Sequence, residues 1–118
     1  MIGIDIVNIS RIERMIEKFE NKALEKFLSK DEIKLIKSPS TVAGFWAAKE
    51  AGSKAIGTGI GKNCSFKDIK ISKSKSGQPL IKYKKYLRKK FKIKNSHLSI
   101  THDGGFAIAV VVNEINYK

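Results

Sequence analysis

Glu50 and Lys54 stand four residues apart in Lys49-Glu50-Ala51-Gly52-Ser53-Lys54. On a helix that spacing places both on one face. They are then either a surface ion pair worth a few tenths of a kcal/mol or a carboxylate and an ammonium shared by a site. The neighbours argue for a site. Phe45, Trp46 and alanines at 43, 47, 48, 51 and 55 predict burial around much of the helix. A charge in such surroundings is costly unless a metal ion or a phosphate compensates it. Asp5 is the second carboxylate. It interrupts an isoleucine-rich strand pattern in which aspartate is disfavoured, so it is either an exposed strand charge or a ligand. Two carboxylates, one from a strand and one from a helix, suit magnesium, which takes one or two and completes its shell with water and phosphate. His102 lies between a strand and a turn. It is either structural, or a hydrogen-bond donor to phosphate or a proton shuttle.

The elements that must position these residues are legible from periodicity. Residues 2–7 alternate as a strand, with Ile2, Ile4 and Ile6 on one face and Gly3, Asp5 and Val7 on the other. Ser10-Arg11-Ile12-Glu13 has the form of a capping box, followed by Ile12, Met15, Ile16 and Phe19 at helical spacing, with Arg11, Arg14 and Lys18 on another face. A second helix is expected near 21–28, and Ser29-Lys30-Asp31-Glu32 repeats the capping signal before Ile33 and Ile36. Ser38-Pro39-Ser40 reads as a loop. A central helix is expected over 41–56, with Gly57 as its C-terminal cap and a glycine-rich exit to Gly61. Phe66–Ser72 and Leu80–Tyr83 form a hairpin across Ser76-Gly77-Gln78-Pro79. A second hairpin joins Leu98–His102 to Phe106–Val112 through Asp103-Gly104-Gly105. Between them, residues 82–94 are densely basic, and Tyr83, Leu87 and Phe91 predict a solvated amphipathic helix there. The class is α+β, with strands at both chain ends able to share a sheet.

The bulk properties narrow the partners. The chain has 118 residues, 42% hydrophobic and 30% charged, which fits one globular domain spanning 1–118. No apolar run is long enough for a membrane span, and Asp5 breaks the opening apolar run too early for a secretory leader; the expected compartment is the cytoplasm. Cys64 is the only cysteine. No disulfide or Cys/His metal spacing exists, so it reads as a half-buried structural thiol. A net charge of +13 attracts anionic partners of several kinds without choosing among them.

Three stretches together carry a resemblance. Gly3-Ile4-Asp5-Ile6-Val7 with Arg11-Ile12, then the run from Phe45 through Ala47-Ala48-Lys49-Glu50-Ala51-Gly52-Ser53-Lys54 to Gly57-Thr58-Gly59-Ile60, and finally Leu98-Ser99-Ile100-Thr101-His102-Asp103 resemble the holo-acyl-carrier-protein synthases, members of the 4'-phosphopantetheinyl transferases. The likeness covers nearly the whole chain, and its middle stretch is the specific one. It implies the 4'-phosphopantetheinyl transferase fold, an antiparallel sheet packed with a long central helix and shorter helices. It implies that Asp5 and Glu50 hold Mg2+ against the pyrophosphate of coenzyme A, that Lys54 lies at the reacting phosphate, and that His102 lies near coenzyme A. By the same resemblance Lys49, Ser53, Gly57, Gly77, Pro79 and Thr101 belong to the coenzyme A surface. Arg11, Arg14 and Lys18 dock an acidic helix of acyl carrier protein, and the short members form homotrimers with sites at subunit interfaces. One departure stands out. Gln78 occupies the turn position where the family commonly has Lys or Arg, so a cation for the nucleotide end of coenzyme A must come from elsewhere.

The expected reaction is attack of a carrier-protein serine on the β-phosphorus of coenzyme A, releasing adenosine 3',5'-bisphosphate. Positioning and charge stabilisation would carry it, with Glu50, directly or through water on the metal, as the candidate to take the serine proton. The rival from another class is a nucleic-acid-binding module built on the basic stretch with Tyr83, Tyr86 and Phe91. It leaves Asp5 and Glu50 unexplained, and the expectation is no nucleic-acid and no membrane partner. A scaffold that binds carrier protein without turnover is disfavoured by the intact Asp5, Glu50, Lys54 and His102.

Overall fold

The computed structural model describes residues 1–117. In chain order the elements are β1 (Ile2–Asn8), α1 (Ile9–Phe19), α2 (Asn21–Phe27), α3 (Lys30–Ile33) and α4 (Pro39–Ala55). A 3-10 turn (Phe66–Asp68) then leads into β2 (Ile69–Lys73), β3 (Pro79–Tyr83), α5 (Lys85–Lys90), β4 (Ile93–Asp103) and β5 (Phe106–Ile115). The terminal strands do share a sheet. Its order is β1-β5-β4, antiparallel throughout, with Asp5 opposite Ala109 and Ala109 opposite Ile100. β2 and β3 form a separate hairpin. Among the described residues no helix is long and apolar enough to cross a membrane.

α4 lies on the inner face of the three-stranded sheet, and small residues set how closely. A Cβ on Gly3 would stand 2.0 Å from the carbonyl oxygen of Ala51 and 2.6 Å from the amide nitrogen of Ala55. Only glycine lets β1 approach the helix backbone so nearly. Further toward the helix start, Gly44 lies under the side chain of Ile100 on β4. The helix therefore crosses the sheet obliquely, its N-terminal half over β4 and its C-terminal half over β1. Ala47, Ala48 and Ala51 are fully buried along that contact. The other flank packs on Phe27 and Phe66, whose rings meet Trp46 at 5.0 and 4.8 Å between centroids.

Several local expectations need correction. Ser10 does not cap α1; Asn8 does, its side chain accepting from the Ser10 amide at 2.9 Å, which starts the helix at Ile9, two residues earlier. Pro39 belongs to the first turn of α4 rather than to a loop, a position where its missing N–H costs nothing. The basic stretch 82–94 is helical only over Lys85–Lys90. Its start is the end of β3, and β4 already begins at Ile93. Apolar periodicity could not separate these because Tyr83, Leu87 and Ile93 are all buried, each in a different element.

The alternation of β1 holds, but its apolar face points outward. Gly3 and Val7 face α4, whereas Ile2, Ile4 and Ile6 are 57–70% exposed. By register they continue into Val112, Val110 and Ile108 of β5. The outer face of the sheet is thus an apolar surface on this chain.

Candidate active site

Two groups of polar side chains flank α4, one at each edge of the sheet. The first is at β1. Lys54, in the last turn of α4, donates to Asp5 Oδ1 at 2.8 Å and to the carbonyl oxygen of Ile4 at 3.3 Å. Glu50, one turn earlier, joins them. Partial burial pushes its carboxyl above the ordinary range, and the nearby Asp5 charge pushes it the same way, while Lys54 and Arg11 pull it down. Two carboxylates sensing each other beside an ammonium form a hard-oxygen donor pair under mutual repulsion. A divalent cation between them would relieve that repulsion, so the residues fit the magnesium that the resemblance implies. Among the described residues no cluster of three or more His, Cys, Asp or Glu could hold a metal; a pair plus substrate oxygens is what magnesium needs.

The end of α4 is closed tightly below this group. The amides of Thr58 and Gly59 both donate to the Ser53 carbonyl, at 3.1 and 3.2 Å. Gly57 follows the helix with φ +81°, a conformation that favours glycine. Arg11 stacks over Trp46 at 5.7 Å. Arg14 reaches Ser10 Oγ at 3.4 Å, and Lys18 lies 5.2 Å over the exposed Phe19 ring, so all three predicted docking cations are on the surface of α1.

The second group is at β4. A cleft of about 260 Å³ is lined by Ser38, Ser40, Thr41, Lys73, Pro79 and His102, over Phe45 and Ile100. Its mixture of one lysine, one histidine and hydroxyls above an apolar floor suits a phosphate attached to a flat ring. Lys73, Ser40 and Thr41 escaped sequence reasoning. A signal for Lys73 existed, because it is the residue opposite Pro79 in the β2–β3 register. Gly77 shapes the turn beside it, with φ +88°.

Three predicted coenzyme A residues lie elsewhere. Lys49 turns to the opposite side of α4 from Glu50 and is fully buried, donating to Glu32 Oε1 and to the Phe27 carbonyl, both at 2.8 Å. Its amine cannot reach a phosphate in solvent, so Lys49 is corrected to a structural cation. The Ser53 side chain is also buried, donating to the Glu50 carbonyl at 2.7 Å. Thr101 pairs with Ile108 on the outer sheet face, and strand alternation separates it from His102. Cys64 is fully rather than half buried, and burial raises its thiol above the usual range, which fits an inert structural role.

This arrangement of helix and sheet has known counterparts. The family model of the 4'-phosphopantetheinyl transferase superfamily matches residues 1–111. The chain belongs to that superfamily. Among curated members it is 69% identical over 118 residues to the holo-[acyl-carrier-protein] synthase of Aliarcobacter butzleri, covering 100% of both chains. It superimposes on the Helicobacter pylori holo-[acyl-carrier-protein] synthase in complex with coenzyme A with a TM-score of 0.93, at 55% identity, covering 97% of this chain and 100% of that one. A Bacillus anthracis holo-(acyl-carrier-protein) synthase in complex with CoA (3',5'-ADP) gives 0.81 at 40% identity, covering 98% and 96%. The expected α+β fold is therefore the fold of this superfamily.

Proposed function

We propose that the chain transfers 4'-phosphopantetheine from coenzyme A to a serine of apo-acyl carrier protein. What carries the reading is the convergence of Asp5, Glu50 and Lys54 at one sheet edge in a chain of this superfamily. The serine oxygen forms a new bond to the β-phosphorus. The bond from that phosphorus to the bridging oxygen breaks, and adenosine 3',5'-bisphosphate leaves with the electron pair. Glu50, directly or through a water molecule, takes the serine proton. Lys54 exchanges Asp5 for a phosphoryl oxygen, an exchange its exposed amine permits. Asp5 and Glu50 would hold a magnesium ion, which when bound neutralises pyrophosphate charge and stabilises the leaving group.

The β4-edge cleft receives the nucleotide end. Lys73 supplies there the cation that Gln78 does not. Asp5 and Ile100 are separated by β5, so their backbones stand roughly 10 Å apart with α4 between the two groups. One copy then presents half a site at each edge. A head-to-tail ring joins the β1 edge of one copy to the β4 edge of the next, and the exposed isoleucine face supplies apolar area for it. A ring of three copies, as the family resemblance implies, is part of this proposal. Arg11, Arg14 and Lys18 lie beside the β1 edge, where an acidic carrier helix would dock. A cytoplasmic location and the single-domain reading of 1–118 belong to the same proposal.

The test is mass spectrometry of apo carrier protein incubated with this protein, coenzyme A and magnesium. The expected result is a gain of one phosphopantetheine group. An unchanged mass, with the protein folded and both substrates intact, overturns the reading.

A further inference from the structure

Between Asp68 and Asp103 the sequence carries 11 of its 24 lysines and arginines and no carboxylate. Among the described residues, only Lys84 of these has an acid within ion-pair distance, Asp68 at 3.3 Å. The surplus is not spread evenly over the surface. Lys82 at the end of β3, Arg88 on α5, and Lys94, Asn95 and Ser96 on β4 converge on a cleft of about 160 Å³. Beside it a shallow, open cleft shares Arg88 and Lys94 and adds Lys85 and Lys89. A register irregularity between Ile93 and Asn95 shapes the β4 side, the kind of feature that re-aims side chains beside sites. Arg88 stands between the two clefts, and its Nε is shielded from solvent with no hydrogen-bond acceptor. An unmet donor on a charged group is unfavourable, and an oxyanion taken across the Nε edge after a small turn of the side chain would satisfy it. Glu114, opposite Asn95 in the β4–β5 register, is already engaged by His97 and Asn95.

We infer that these clefts are an anion site for a small molecule bearing two neighbouring phosphate groups, one on each side of Arg88. Three cations and two neutral polar side chains around a single small cleft match a phosphate dianion better than a carboxylate. The site is separate from the transfer site and does not depend on that reading. Along β4, Ser96 and His102 are roughly 20 Å apart.

The chain has three arginines, Arg11, Arg14 and Arg88, so a proton–nitrogen spectrum of arginine Nε–Hε groups reads the site directly. Inorganic pyrophosphate added to the full chain should move the Arg88 signal to saturation and leave Arg14 in place. Lys82→Gln, at an exposed position, should weaken this binding at least about five-fold. Lys75→Gln, in the β2–β3 turn, should not change it. An Arg88 signal that stays still, or that moves equally with sodium chloride at matched ionic strength, overturns the proposal. So does equal weakening by Lys75→Gln, or tighter binding of a random oligonucleotide than of pyrophosphate.

Discussion

Two lysines leave α4 five residues apart, and each meets a carboxylate at 2.8 Å. The Lys49–Glu32 pair is sealed, at 0% and 1% side-chain exposure. Glu32 accepts from Lys49, from the Ser29 amide and from the Ile71 amide, so its lone pairs are used on three separate elements. The Lys54–Asp5 pair has side chains 51% and 14% exposed. Its lysine holds a single carboxylate oxygen and a long contact to a carbonyl, with a second carboxylate alongside. Equal distance therefore hides unequal roles. The first pair ties helix, loop and hairpin together and has nothing left to offer a ligand. The second is weak as a stabilising contact, as exposed pairs are, and its groups are free to be re-partnered. Neighbouring positions on one helix thus differ: Lys49 is sealed into the structure, and Glu50 is the carboxylate proposed for the chemistry.

Breaking the sealed pair should give the largest effect. Lys49→Met leaves Glu32 buried and uncompensated, and should cost about 3–5 kcal/mol of stability in urea unfolding. A loss under about 1 kcal/mol would show that the pair is not the tie described. Next, Asp5→Ala and Glu50→Ala should each lower turnover about a hundred-fold or more, while the unfolding midpoint stays at or above that of the parent chain. A comparable loss of stability in either would erase the contrast between the two pairs.

The β4 edge extends the comparison. Lys73→Gln should raise the KM for coenzyme A roughly ten-fold, equivalent to about 1.4 kcal/mol, and should leave the KM for dephospho-coenzyme A unchanged. Equal effects on both substrates would remove Lys73 from the nucleotide phosphate. The smallest effect concerns Glu50 and stability. Its pKa is raised, so the folded chain holds that proton more tightly than the unfolded chain does, and ionising Glu50 costs stability. The cost is fully present above the folded pKa and absent below the ordinary value of 4.5. Glu50→Gln should therefore melt slightly higher at pH 7 and show no such advantage below about pH 4. A lower melting point at pH 7 would mean that Glu50 is held by stabilising contacts instead.

What the sequence disclosed follows from how local each signal is. Glu50 and Lys54 shared a face by helical spacing alone. The terminal hairpin was readable from Asp103-Gly104-Gly105, whose glycines take φ +58° and +86° as a tight turn between strands requires. Gly3 looked like a strand residue and gave no sign of its contact with Ala51, because that requirement exists only when β1 meets α4. Lys49 sat inside the most specific motif, yet its direction depends on Glu32, which is 17 residues away. The outward turn of Ile2, Ile4 and Ile6 was hidden for the same kind of reason. Alternation separates two faces of a strand but does not say which one the rest of the chain covers.

The central claim is that Asp5 and Glu50, unlike Glu32, are carboxylates kept available for a divalent cation. Manganese titration followed by electron paramagnetic resonance, in the presence of coenzyme A, tests this most directly. The account predicts one manganese ion bound per chain, displaced by magnesium, retained in Lys73→Gln and lost when Asp5→Asn and Glu50→Gln are combined in a folded chain. Undiminished manganese binding in that double variant would contradict it.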